Sequence, residues 1–387
     1  KASVSAAVAP LEWKNHKNNL IDAPGLFDFE GGLCEAVRAA DSVLIAVSGK
    51  DGVSVGTEKA YEAASARGLS KIFFVNGLAD EDARFYRVFE HLKRSFGPST
   101  CPVVVPYIVD GKADIYINIL EYKAYDYSGG KPVEVKMPDM GDRLEGLRTA
   151  IYEAVAETSD EMFEKYFSGE PFTPEEVIVG VSKGVKSGAI TPVFCGDALL
   201  MRGMEQFMDG LTWLAPSAAE KAGEVGADVD GEPVEISVNP DGATAAIVFK
   251  TIADPFVGKV SYLKVISGKV AQDSQLVNMR TGAVLKLSGA NTGDTLCAPT
   301  RKVTLDGVEY PNPTLSMAIL PKNKGEEDKV AQGIFRLVEE DPTIRFSNNA
   351  ETHQMIVSGL GEQHLDVVVS KLKSKFGVDV VLQKPRV

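Results

Sequence analysis

The sequence predicts an α/β domain built on a mostly parallel sheet with an inserted subdomain, then a small antiparallel β-barrel, then an α+β unit of the ferredoxin-like type. Three observations predict it. From Lys17 to about Leu214, short apolar strands alternate with longer amphipathic segments, the signature of a parallel sheet covered by helices. Ala245–Leu296 is rich in Val, Ile and Thr and is punctuated by Asp254-Pro255, Ser267-Gly268 and Thr281-Gly282, as short barrel strands are. Beyond the proline-bearing break Leu305–Pro313, the order strand, helix, two strands, helix, strand is that of a split βαβ unit.

In the first domain the expected strands are Lys17–Asp22, Asp41–Ser48, Lys71–Asn76, Cys101–Tyr107 and Ile190–Cys195. The helices expected between them are Gly32–Ala40, Thr57–Arg67, Glu81–Phe96 and Arg202–Leu214. The distance from Asn76 to Cys195 is too great for a single crossover, so a subdomain at about residues 100–188 is expected there, with a strand-like piece at Ala113–Tyr127 and helices near Asp142–Phe167 and Thr173–Ser187. The polar stretch Ser217–Gly242 reads as a linker and strand lead-in. In the last unit the strands are Thr314–Leu320, Thr343–Phe346, Gln354–Ser358 and Asp379–Gln383, with helices Glu326–Glu340 and Glu362–Phe376. Domains are therefore expected at 1–216, 217–304 and 305–387.

Composition narrows the function classes. Of 387 residues, 44% are hydrophobic and 25% charged, and 41 Lys plus Arg against 54 Asp plus Glu give a net charge of −13. So acidic a chain is not a general polyanion-coating surface, although a local basic contact with RNA remains compatible with it. Apolar runs such as Ile72-Phe73-Phe74-Val75 are far too short to span a bilayer, and no signal pattern opens the chain, so a soluble cytoplasmic protein is expected. Cys34, Cys101, Cys195 and Cys297 form no C-x-x-C pair and read as free thiols. His16, His91, His353 and His364 lie in different elements without ligand spacing, and His364 is expected to cap or pack a helix start. Met201, Met204 and Met208 recur at helical spacing and read as core.

The most informative stretch is Asn19-Leu20-Ile21-Asp22-Ala23-Pro24-Gly25-Leu26-Phe27-Asp28-Phe29. A buried strand there ends in an acid, and the chain then breaks at Pro24-Gly25. An Asp at a strand's carboxyl edge can hold Mg²⁺ through water, and a Gly three residues on leaves its N–H open to a terminal phosphate. Such a segment can report whether that phosphate is present.

Together with Asp22-Ala23-Pro24-Gly25 and Asp28-Phe29, three further tracts make the chain resemble the translation elongation factor G family along its whole length. They are Phe249-Lys250-Thr251-Ile252-Ala253-Asp254-Pro255-Phe256-Val257-Gly258-Lys259-Val260, Glu339-Glu340-Asp341-Pro342-Thr343, and Ser358-Gly359-Leu360-Gly361-Glu362-Gln363-His364-Leu365-Asp366. The resemblance implies a P-loop GTPase-like G domain, a β-barrel domain II and a ferredoxin-like domain III. It also implies GTP or GDP as ligand, Mg²⁺ as cofactor, the ribosome (rRNA and ribosomal proteins) as partner, and a monomer. The loop G-x-x-x-x-G-K-[ST] does not occur here and by the family's order belongs upstream of Lys1, while the family continues beyond Val387. A fragment of a longer protein is therefore expected, with a barrel shortened between Arg280-Thr281-Gly282 and Ala283-Val284-Leu285.

Carried over position by position, the resemblance gives Ser3 the switch I hydroxyl on Mg²⁺, and Asp22, Ala23, Pro24 and Gly25 the metal and phosphate contacts. Leu26 stands where the family usually has a histidine that orients the attacking water. Leucine has no hydrogen-bonding group, so slow hydrolysis is expected. The family's N-K-x-D loop stands as Asn76-Gly77-Leu78-Ala79. Ala79 cannot accept the two guanine hydrogen bonds that an aspartate would, and Asp80 is one residue late. In the loop Gly196-Asp197-Ala198-Leu199, Asp197 replaces the common serine, and the Ala198 N–H is the group expected to face the guanine oxygen. Weak base discrimination follows. Three functions fit: a GTPase promoting translocation, a ribosome-binding paralogue with a degenerate nucleotide site, and a ribosome protection factor of the tetracycline-resistance type.

Overall fold

In a computed structural model, which describes residues 2–254, 256–272, 274–285 and 289–386, the chain opens on a hairpin of β1 (Ala7–Trp13) and β2 (His16–Asp22). Lys14 and Asn15 turn it at φ 42° and 63°, the left-handed pair of a tight two-residue loop. The expected strand at Lys17–Asp22 therefore exists, but it pairs with β1 and takes no place in the parallel sheet. None of its residues is fully buried. His16, Lys17, Asn18 and Asn19 are too polar for a strand covered on both faces. A 3₁₀ turn at Phe27–Phe29 then leads into α1 (Glu30–Ala39).

Two compact units make up the chain: Lys1–Leu11, Asn19–Ala39 and Ala219–Val387 form one, Glu12–Asn18 and Ala40–Ala218 the other. The second holds β3 (Ser42–Ser48), α2 (Val55–Ala66), β4 (Ser70–Asn76), α3 (Phe85–Phe96) and β5 (Thr100–Pro102). Next come β6 (Val104–Val109), β7 (Lys112–Asn118), β8 (Lys123–Asp126), β9 (Val133–Val135), α4 (Asp142–Ala156), α5 (Asp160–Phe167), α6 (Pro174–Ser187), β10 (Thr191–Cys195) and α7 (Met204–Leu214). The sheet β3-β4-β10-β5 is parallel throughout, and β6-β7-β8-β9 form an antiparallel sheet inserted into it.

Two expected elements are divided here. The run Cys101–Tyr107 splits at Val103: Pro102 lacks an N–H and ends the parallel ladder, and Val104 begins the antiparallel one. The span Asp142–Phe167 breaks where the Ser159 hydroxyl accepts the Met162 N–H at 3.3 Å and caps α5. Met201 lies outside α7 and is exposed, so of the three methionines only Met208 is buried.

The first unit continues with β11 (Glu224–Ala227) and β12 (Pro233–Ile236), an antiparallel pair within the stretch expected to be a linker. Four-residue strands of mixed polarity leave little pattern. The turn is set by Asp228, whose Oδ1 accepts the N–H groups of Asp230 and Glu232 at 2.9 Å each. β13 (Ala245–Asp254), β14 (Gly258–Ser267), β15 (Leu276–Asn278), β16 (Val284–Leu285) and β17 (Thr295–Cys297) form the barrel sheet around Ile236, Ile247, Ile266 and Val277. Within the expected barrel, Pro255, Asp273 and residues 286–288 lie outside the described residues.

Last come β18 (Leu315–Pro321), α8 (Glu327–Glu340), β19 (Arg345–Asn349), β20 (Gln354–Gly359), α9 (Glu362–Phe376) and β21 (Val380–Gln383). The order β19-β20-β18-β21 with antiparallel neighbours is the split βαβ arrangement that the element order predicts. Val330, Ile334 and Leu337 of α8 and Leu365, Val368 and Leu372 of α9 fill its core. The fold is thus a parallel α/β domain with an inserted subdomain, a barrel sheet and a ferredoxin-like α+β domain, in the order expected for a P-loop GTPase-like G domain, β-barrel and ferredoxin-like domain. Among the described residues no helix is long and apolar enough to cross a membrane.

Candidate functional site

The sequence-derived site residues fall in both units, and each unit holds its own constellation. In the first, β2 delivers Asp22 to the end of the hairpin, where Asp22 Oδ2 accepts the Ser3 hydroxyl at 2.6 Å. Two hard oxygen donors, both solvent-facing, meet there. They are of the type that would hold Mg²⁺, a hard cation that favours oxygen ligands. Pro24 is buried, and Gly32 makes room for it: a Cβ at Gly32 would stand 2.7 Å from Pro24 Cδ. A Cβ at Gly25 would meet nothing within 4 Å, so packing does not demand this glycine, and its exposed N–H is left open to a ligand. Leu26 is 41% exposed and carries an aliphatic side chain into the position expected to orient water.

Asp28 Oδ2 accepts the N–H of Gln363 at 2.9 Å and of His364 at 3.3 Å, so a side chain from the segment after Gly25 caps the amino end of α9. Gly361 permits the approach, since a Cβ there would lie 2.4 Å from Asp28 Oδ2. Phe29 is buried and meets the His364 ring edge-on at 6.0 Å. His364 packs the helix start as expected, and it also links two tracts: Nδ1 accepts the Leu360 N–H at 3.0 Å and Nε2 lies 3.0 Å from Asp341 Oδ2. With Nδ1 as acceptor, Nε2 carries the proton and donates to Asp341. Burial opposes charge on Asp341, but the bonds from His364 and Thr343 outweigh it and hold the carboxyl below its ordinary range.

The helix that follows the switch is tied to the barrel by charges that sequence reasoning did not single out. Glu35 and Lys250 form a buried pair at 3.1 Å, and the Tyr310 hydroxyl donates to Glu35 at 3.3 Å. Arg38, 2% exposed, grips Glu224 at 3.1 and 2.8 Å and donates to the Asp306 carbonyl at 2.8 Å. Glu340 bridges Lys371 at 2.6 Å and Lys375 at 2.7 Å beneath β13. The available signal was a pair of opposite charges, Glu35 and Arg38, three residues apart on one helix, with a lysine breaking the apolar run Ala245–Phe249.

In the second unit, β4 ends at Asn76 and Gly77 turns the chain at φ 78°. β10 ends one residue before Gly196-Asp197-Ala198-Leu199, so the two expected base loops are adjacent. They are laced together: the Leu78 N–H donates to the Gly196 carbonyl at 3.2 Å, the Ala79 N–H to Asp197 Oδ2 at 3.1 Å, and the Ala198 N–H to Asn76 Oδ1 at 2.9 Å. The Ala198 amide, expected to be available to a guanine oxygen, is therefore engaged within the protein. The reason is local: the short Asn76 side chain spans the gap between adjacent strand ends. Asp197 is buried and Leu199 is 95% exposed. Asp80 points elsewhere, its Oδ1 accepting the Asp82 N–H at 2.8 Å and its Oδ2 lying 3.7 Å from Lys50 Nζ.

A parallel α/β sheet carrying two adjacent loops at its strand ends, with a barrel sheet and a split βαβ domain, is the arrangement that the resemblance to translational GTPases implies. Residues 1–217 match the model of the elongation factor Tu GTP binding domain, and residues 310–384 that of elongation factor G, domain III. The chain is 32% identical over 419 aligned residues to proteins named elongation factor G from Ureaplasma parvum serovar 3 and Ureaplasma urealyticum serovar 10, covering 100% of itself and 61% of each. It spans about three fifths of their length. A crystal structure of a Thermus thermophilus protein superposes with a TM-score of 0.82 at 29% identity, over 100% of this chain and 60% of that one. The chain belongs to the elongation factor G family.

Proposed function

We propose that this chain is the switch and reader portion of a translational GTPase that binds GTP with Mg²⁺, binds the ribosome through rRNA and ribosomal proteins, and couples nucleotide state to translocation. The observation that carries the proposal is the capping of α9 by Asp28, because a segment that moves with the terminal phosphate is then bonded directly to the third domain. Ser3 and Asp22 hold Mg²⁺; Ala23, Pro24 and Gly25 form the phosphate-facing turn; Asn76, Gly77, Ala79, Asp197, Ala198 and Leu199 border the base. The domains run over 1–216, 217–304 and 305–387, and the protein acts as a cytoplasmic monomer.

Leu26 favours a second reading, a ribosome-binding paralogue whose hydrolysis is slow. Co-sedimentation with ribosomes tests the coupling common to both. Stronger pelleting with a non-hydrolysable GTP analogue than without nucleotide is expected, and equal pelleting in both conditions overturns the switch. The acidic net charge of −13 makes the contact local, so binding to unrelated RNA is expected to be weak even at low salt.

A further inference from the structure

Ala79 removes an acid from one base loop, and Asp197 adds one to the other. In sequence these are two separate losses. In the fold the two meet: Asp197 Oδ2 accepts the Ala79 backbone N–H at 3.1 Å, so the carboxylate comes across from the neighbouring strand end to the loop that lacks one. We infer that Asp197 is the base-reading carboxylate of this protein, supplied by the second loop in place of the first. The inference rests on the nucleotide-binding reading above.

The geometry supports a reader rather than a bystander. Asp197 is 5% exposed and held at both oxygens, Oδ2 by the Ala79 amide and Oδ1 by the Leu200 amide at 3.0 Å. Its backbone is fixed as well, exchanging two 3.0 Å hydrogen bonds with Arg202. Each carboxylate oxygen accepts two hydrogen bonds, so a ligand can be read without giving up either amide. The residues beside it are small. Ala79 is an exposed methyl, and a Cβ at Gly77 would meet nothing within 4 Å. Guanine presents N1–H and a 2-amino group on one edge, two donors for two carboxylate oxygens. Adenine presents no such pair. Good discrimination for guanine is then expected, reversing the expectation drawn from Ala79 alone.

The test is titration of the full-length protein with GTP, ITP, XTP and ATP at fixed Mg²⁺, unmodified and as Asp197→Asn and Asp80→Asn. ITP lacks the 2-amino group and is expected to bind about tenfold to a hundredfold more weakly than GTP to the unmodified protein. In Asp197→Asn the amide donates to the 2-oxo group of xanthine and accepts from N1–H, so XTP is expected to overtake GTP. Asp80→Asn is expected to leave the order unchanged. Equal affinities for GTP and ITP in the unmodified protein overturn the inference without reference to any variant. So does a GTP to XTP ratio that stays within about threefold in Asp197→Asn, or one that shifts in Asp80→Asn. If no triphosphate binds at all, the nucleotide reading itself falls, and the inference with it.

Discussion

Asp28 and Gln363, separated by 335 positions in the chain, are joined by a 2.9 Å hydrogen bond from the Gln363 backbone N–H to Asp28 Oδ2. The bond satisfies one of the amides that every helix leaves open at its amino end, and it places a negative charge where the α9 dipole favours one. The donor belongs to the third domain and the acceptor to the segment after Gly25. Movement of that segment therefore removes a cap.

Asp28→Ala is expected to cost about 1 kcal/mol in the stability of the third domain, the usual loss for an amino-terminal cap. It is also expected to narrow the difference in ribosome pelleting between the GTP analogue and no nucleotide. Gly361→Ala reaches the same end by a different route, since its Cβ would stand 2.4 Å from Asp28 Oδ2. Two variants with the same loss of nucleotide dependence place the coupling at this contact. Wild-type nucleotide dependence in both removes it.

The buried Glu35–Lys250 pair predicts asymmetric costs. Burial pushes the Glu35 carboxyl up even beside Lys250, so a neutral side chain is tolerated better at position 35 than an unpaired charge. Lys250→Met leaves Glu35 buried without its cation and is expected to destabilise by about 3 kcal/mol. Adding Glu35→Gln to it is expected to recover a large part of that loss. Urea denaturation of the two singles and the double reads the coupling directly.

Acid sensitivity follows from three other carboxylates. Burial works against the charge on Glu340, but Lys371 and Lys375 outweigh it; His364 and Thr343 do the same for Asp341, and Arg280, Asn291 and Asn278 for Asp294. All three are held below their ordinary range in the folded protein, so each contributes stability that is present above its unfolded value, about 4, and is lost as pH falls through the folded value. Stability measured from pH 6 downward is expected to begin dropping near pH 5. Glu340→Gln is expected to flatten part of that slope; an unchanged slope would place the titration elsewhere.

What the sequence made legible was local. The split βαβ domain and the strands around Ile72–Val75 and Val193–Cys195 show in apolar period and turn residues, because those elements bury a regular face. The strand ending at Asp22 was legible as a strand but not in its pairing, since a polar run says little about which neighbour it bonds. The capping of α9 by Asp28 and the approach of Asp197 to Ala79 span 335 and 118 positions. Neither leaves a periodic trace, and each depends on strand ends and loops meeting in space. Residue types alone mark Asp28 as one more switch acid and Asp197 as an unfavourable charge. Their functions rest on which amides they reach.

Under the proposed function, turnover is expected to depend on Leu26. The side chain is aliphatic and 41% exposed, on the turn between Gly25 and the 3₁₀ segment Phe27–Phe29. Hydrolysis of a terminal phosphate needs a group that orients water in line and stabilises the charge that develops, and leucine can do neither. The Ser3–Asp22 pair, proposed to hold Mg²⁺, does not replace that function. Ribosome-stimulated hydrolysis by the full-length protein is therefore expected to be on the order of 10²-fold below that of a family member with histidine at this position. Leu26→His is expected to raise the rate by a comparable factor while leaving nucleotide affinity unchanged, because the new imidazole acts in the transition state and makes no ground-state contact. The exposed turn accommodates the substitution without repacking. Single-turnover hydrolysis with ribosomes in excess isolates the chemical step. A rate in the unmodified protein equal to that of the Leu26→His variant would mean that another group already positions the water, and the slow-hydrolysis reading would then have to be abandoned.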